Sequence, residues 1–170
     1  MNRALIPVTI VTLFIVAFQL AILSSLRIDG VVVMLVWLWP LALGLAGSAS
    51  LAVWSALLSG IFFDTHAATP FGLTALVGLA IAYVASRLGR EGVGDLDSAA
   101  LWVTPVIAAA AGFVAPLAYV VAGALTLHFS MWHASLGESM VVNAVAFFLL
   151  ARPVGRLAIM VSGSGARVRR

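Results

Sequence analysis

Few side chains in this sequence could do chemistry, and they are scattered along it. Asp64 is the most informative of them. It follows a short apolar stretch, so it stands at or just below a membrane boundary, where an uncompensated carboxylate demands a partner. Two roles suit it: coupling to a proton or cation, or capping the turn that runs from Asp64 to Gly72. No second acid falls inside an apolar segment to complete a relay, and Glu138 stands where a helix N-terminus favours it anyway. His66, His128 and His133 occupy two loops on one expected face, so a metal cluster is geometrically open to them. Its remaining ligands would have to be Asp64 and Glu138, since there is no cysteine, and we expect no metal site and no cofactor. A phosphate-cradling glycine loop with its lysine, a nucleophile beside a base and a pair of hydrolytic acids are all missing from the sequence. The expectation is a protein that is not an enzyme.

The elements that must position these residues are set by composition. The chain has 170 residues, 64% hydrophobic and only 9% charged, with a mean hydropathy of +1.18. That excludes a soluble enzyme, because so few charges cannot cover a folded unit of this size. Zero cysteines exclude disulfide frameworks and thiolate zinc sites. The basic residues Arg152, Arg156, Arg167, Arg169 and Arg170 collect near the C-terminus. They read as a juxtamembrane tail attracted to membrane lipids, with no nucleic acid partner.

A spanning helix needs about 20 apolar residues. Residues 4–23 form a first span, read as retained and not as a cleaved leader. From Val31 to Phe63 no ionisable residue occurs, and as one helix that stretch would measure about 50 Å, too long for one crossing. It should fold as a hairpin broken at Gly47-Ser48-Ala49-Ser50, giving spans 31–46 and 51–63. Further spans are expected at 71–87, at 100–127 and at 138–152. Pro105 and Pro116 should kink or break the fifth. The fold expected is all-α, a compact bundle of six transmembrane helices over residues 1–158, with a basic tail at 159–170. Arg3, Arg87, Arg90 and the five C-terminal arginines then share one side against Arg27 alone, which places both termini in the cytoplasm. Five spans with an external N-terminus divide the charges equally well.

Lipid gives helices no hydrophobic reason to associate, so small and polar residues mark packed faces. Ala75, Gly78, Ala82, Ala85 and Gly89 repeat at alternating spacings of three and four, as do Ala108, Ala111, Ala115, Ala118 and Ala122. Both seams should be close-packed faces, with each other as candidate partners. Thr9, Thr12 and Gln19 mark a protein-facing side of the first helix, and Asn143 should contact another helix. Trp102 and Trp132 are placed as interfacial anchors, whereas Trp37, Trp39 and Trp54 lie deeper.

Two segments carry a family resemblance. Ser59-Gly60-Ile61-Phe62-Phe63-Asp64, followed by Pro70-Phe71-Gly72-Leu73-Thr74-Ala75-Leu76, resembles the signature region of the bacterial rod shape-determining MreD family. There, a glycine precedes an aspartate by four, and a glycine-leucine pair opens the next helix. Val141-Val142-Asn143-Ala144-Val145, running into Phe147-Phe148-Leu149-Leu150 and Arg152, is similar to the end of that family. The resemblance implies a non-enzymatic scaffold of the cell-elongation complex that binds the transmembrane helix of an MreC-like bitopic protein and supports lateral peptidoglycan synthesis and rod shape. Indirect partners would be MreB-like filaments, a RodA-like glycosyltransferase and a class B penicillin-binding protein. Gly60, Asp64, Pro70, Gly72 and Asn143 carry over as structural or partner-contact positions. The acidic loop from Glu91 to Asp97 and the prolines of the fifth span depart from the pattern. The family also resembles in architecture the membrane substrate-binding subunits of energy-coupling-factor transporters. The alternative function is therefore a vitamin-type transporter subunit, with Asp64, Thr65, His66, His128, Ser130 and Glu138 to line its pocket. An enzyme of lipid-linked precursors would need clustered intramembrane acids or bases, and the outer side offers only Arg27.

Overall fold

The computed structural model describes residues 3–23, 33–66, 70–90, 102–127 and 135–163. Among these are six α-helices: α1 Leu5–Phe18, α2 Leu35–Leu45, α3 Ala49–His66, α4 Leu73–Arg90, α5 Val103–Leu127 and α6 Leu136–Ser162. A π-helical turn over Gln19–Leu23 extends α1. Leu5–Ile22, Leu73–Arg90, Val103–Leu125 and Leu136–Ser162 give four helices long and apolar enough to cross a membrane. The chain is an all-helical membrane protein.

The short helix α2 organises the bundle. Its 11 residues measure about 16 Å, roughly half of a hydrocarbon core. Val36 to Leu45 are all buried, as befits a helix apolar on every side. Each of the other five helices contacts it. The expected span 31–46 therefore ends with α2 but is not matched by a spanning helix among the described residues. Gly47, at φ 76°, closes α2. The Ser48 amide donates to Leu43 O and the Gly47 amide to Gly44 O, both at 3.0 Å, a left-handed glycine cap that reverses the chain into α3. The hairpin break thus falls where the small residues placed it.

Three helices run on past an expected end, α3 to His66, α4 to Arg90 and α6 to Ser162, and α5 is unbroken where a break or kink was expected. α3 continues past residue 63 to His66, which puts Asp64 inside its last turn and not in the connection. α5 is a single unbroken helix. Pro105 lies in its first turn, where a missing N–H costs nothing, and Pro116 lies within it. α6 passes through Pro153 and stops at Ser162, where Gly163 takes φ 68°, so the helical body extends beyond residue 158. In an apolar medium, opening the backbone exposes several polar groups whereas one proline removes one bond, so the helix persists. Pro40 in α2 shows how such a bond is replaced. Its ring leaves the Val36 carbonyl without the usual amide, and the Ser59 hydroxyl, shared between Val36 O and Ala56 O at 3.4 Å each, partly replaces it.

The α4 seam is a close-packed face. Ala75, Gly78, Ala82 and Ala85 are all buried. A Cβ on Gly60 of α3 would overlap the Ala75 backbone, and one on Gly44 of α2 would stand 2.7 Å from the Ala85 Cβ. Gly89 meets the carbonyls of Gly44 and Leu45 in the same way. The α5 seam is buried at Ala108 and Ala115 and half-buried at Ala111, Ala118 and Ala122. The two seams are not each other's partners: α4 packs chiefly on α2 and α3, and α5 on α6. The reason lies at Gly112, where a Cβ would come within 2.6 Å of the Asn143 carbonyl oxygen, so α5 approaches α6 backbone to backbone.

These contacts orient the bundle. Gly44 pairs with Ala85, Leu45 lies near Gly155 and Ile159, and Leu5 and Val161 flank one apolar cluster. The end of α2, the end of α4, the start of α1 and the end of α6 therefore share one end of the bundle. Arg3, Arg87, Arg90, Arg152 and Arg156 all belong to that end. Arg27, Trp132, the Glu91 to Asp97 loop and the last three arginines lie outside the described residues.

Candidate functional site

Three interior polar residues, Gln19, Asp64 and Asn143, lie towards the opposite end, and each serves the start of a helix. The first amides of any helix lack acceptors within it, and in lipid no water supplies them. α4 begins beneath the end of α3. Gly72, at φ 86°, turns the chain there, and the Pro70 carbonyl accepts the Leu73 amide at 3.2 Å. The Asp64 carboxylate Oδ2 then accepts the Thr74 amide at 3.1 Å. Asp64 is 4% exposed. It is an N-terminal cap supplied by the neighbouring helix, its carboxyl oxygen standing at the start of α4. Gly60 makes this possible, since only a glycine lets α3 sit against Ala75 one turn away.

The start of α2 is held by two carboxamides from distant parts of the chain. The Asn143 Oδ1 accepts the Met34 amide at 2.8 Å, and its Nδ2 donates to Ser139 O at 2.9 Å. Gln19, at the first position of the π-helical turn, accepts the Leu35 amide on Oε1 and donates from Nε2 to Val33 O, both at 2.8 Å. Both side chains are fully buried. The π turn aims Gln19 at Val33–Leu35, an example of the local rewinding found where a side chain must reach an unusual partner.

Threonines and tryptophans pin the middle of the bundle. Thr12 donates to Val8 O and accepts the Trp39 indole N–H at 2.9 Å. Thr9 donates to Leu5 O and accepts the Trp54 indole at 3.0 Å. The Trp37 indole reaches Thr74 O at 3.3 Å, which ties the two capped helix starts together. The expected protein-facing stripe of α1 is thus a pair of indole acceptors plus a cap.

The structure brings Gly60, Asp64, Pro70 and Gly72 together at the α3–α4 junction and places Asn143 at a different helix start. Thr65 and His66 do not join Asp64 in a pocket. Both are exposed, and they bond to one another and to Phe62 O. Glu138 is exposed in the first turn of α6, as its charge favours. His128, Ser130 and His133 lie outside the described residues. Gly44, Gly112 and the indole donors escaped the sequence reading. Gly112 stood inside the alanine seam and could have been found there; Gly44 had no seam around it.

Fold and site together define a helical membrane protein in which Gln19, Asp64 and Asn143 close its own helix starts. No protein-family model matches the chain, and no curated protein or solved structure matches it either.

Proposed function

We propose that this protein is a non-enzymatic membrane scaffold that binds the transmembrane helix of an MreC-like bitopic partner and supports lateral peptidoglycan synthesis and rod shape. The family resemblance of residues 59–76 and 138–156 motivates the reading. The observation that carries it is the use of Asp64, Asn143 and Gln19 as helix caps. A carboxylate and two carboxamides spent on internal helix ends are the parts of a rigid docking body. The apolar outer faces, with Ile6, Ile10 and Phe14 of α1 and Val141, Val145 and Leu149 of α6 exposed, offer helix-sized surfaces in lipid.

In this reading the bundle is the six-span domain expected from the sequence, and the arginine-bearing end faces the cytoplasm, with both termini. The transporter alternative requires an enclosed polar pocket. Among the described residues Thr65 and His66 are exposed and Asp64 caps α4, so these three do not line such a pocket together. Affinity purification in mild detergent should recover an MreC-like partner, and depletion should round the cells. Normal cell shape after depletion, with no partner recovered, refutes the proposal; a melting-temperature rise with one member of a vitamin panel replaces it with the transporter.

A further inference from the structure

Thr74 stands in the first turn of α4 and is 1% exposed, yet its hydroxyl Oγ1 has no hydrogen-bond partner among the described residues. Thr9 and Thr12 behave differently: each donates to the carbonyl four residues back and accepts an indole N–H. A buried hydroxyl left dry is costly, and a valine of the same shape would fill the space without that cost. Packing holds Thr74 where it is. Gly60 of α3 lies against the Ala75 backbone, one residue further along α4. The Trp37 indole donates to the Thr74 carbonyl at 3.3 Å, and its ring packs on Tyr119 of α5 with centroids 5.8 Å apart.

The polar group closest to this hydroxyl is a carboxyl. Asp64 Oδ2 accepts the Thr74 amide at 3.1 Å, so the hydroxyl of the same residue lies within the span of one water, two hydrogen bonds of about 2.8 Å each. A carboxylate offers about four lone-pair sites on its two oxygens, so capping α4 does not exhaust it. Water suits this pair better than a cation does. A water accepts from the hydroxyl and donates to the carboxyl, whereas a cation would face the Thr74 amide hydrogen at the positive start of a helix. Among the described residues no group of three or more His, Asp or Glu could hold a metal ion. The exposed residues Thr65 and His66 follow Asp64 directly, so the pair lies at the edge of the bundle, where water is at hand.

We infer that Thr74 Oγ1 and the Asp64 carboxyl bind one internal water molecule at the junction of α3 and α4, the hydroxyl donating to the water and the water donating to the carboxyl. The cap of α4 is then a side chain and a water acting together. The inference is independent of the scaffold reading.

A high-resolution crystal structure of the full chain, grown from a lipidic mesophase, tests it beside unfolding in mixed micelles. The electron density should show one peak within about 2.6–3.2 Å of both Thr74 Oγ1 and an Asp64 carboxyl oxygen. Thr74→Val should lower the folding equilibrium constant about fivefold, since the water loses its acceptor for the hydroxyl proton, while Thr74→Ser stays close to the natural protein. Exchanging sodium chloride for choline chloride should leave the unfolding midpoint unchanged. Absence of the peak overturns the inference, as does a Thr74→Val protein as stable as the natural chain or more so. A midpoint raised by sodium and not by choline also overturns it, because a cation would then hold the place.

Discussion

Replacing Asn143 by leucine removes the acceptor of the Met34 amide at the start of α2. The lost donation from Nδ2 to Ser139 O matters less, because that carbonyl is also the helical acceptor for residue 143. The orphaned Met34 amide sits in the bundle, where an unsatisfied buried group costs about 1–3 kcal/mol. Side-chain hydrogen bonds between membrane helices measure about 0.6 kcal/mol on average and about 1.7 at most. Asn143→Leu should therefore destabilise the bundle by about 1–2 kcal/mol. Gln19→Leu removes two bonds to the same helix start and should cost somewhat more. Because the two carboxamides hold adjacent amides, the double variant should lose less than the sum, with a coupling of at least about 0.5 kcal/mol. Reversible unfolding in mixed micelles, followed by tryptophan fluorescence, measures all three. A single Asn143→Leu loss below about 0.5 kcal/mol, or strict additivity with Gln19→Leu, would refute the idea that a shared helix end is being capped.

Other outcomes follow from the packing. Gly60→Val, which forces side-chain atoms into the Ala75 backbone, should prevent folding or cost more than about 4 kcal/mol, read as loss of monodisperse protein on size exclusion. Ser59→Ala should cost about 0.5 kcal/mol in the natural chain and less in a Pro40→Ala background, where the restored amide serves Val36 O instead; the same unfolding assay reads the cycle.

Much of this architecture was legible in the sequence, and the reasons divide cleanly. Apolar length located the long helices, and Gly47 marked the reversal after α2, because both depend on local chemistry. The seam of Ala75, Gly78, Ala82 and Ala85 announced a packed face through its spacing alone, yet its partner could not be read, since α2 and α3 present Gly44 and Gly60 without a repeat of their own. Charge and proline suggest helix ends at Phe63 and Arg152, yet both helices continue. In the structure Asp64 is retained in α3 to cap α4, and Pro153 is tolerated within α6. The roles of Gln19 and Asn143 were out of reach for the same reason in stronger form: their common target is the backbone of residues 33–35, which no side-chain pattern encodes.

The central claim is that Asp64 acts as a hydrogen-bond acceptor for a helix end and not as a charge that does chemistry. Asp64→Asn retains a carbonyl oxygen for the Thr74 amide and removes the ionisable group, whereas Asp64→Leu removes both. Cell width and recovery of the proposed MreC-like partner should be scored for each, beside the unfolding midpoint of the purified protein. The account predicts near-natural width, partner recovery and folding for Asp64→Asn, and loss of all three for Asp64→Leu. A folded Asp64→Asn protein that loses width control or its partner would contradict it, because the charge itself would then be the working part.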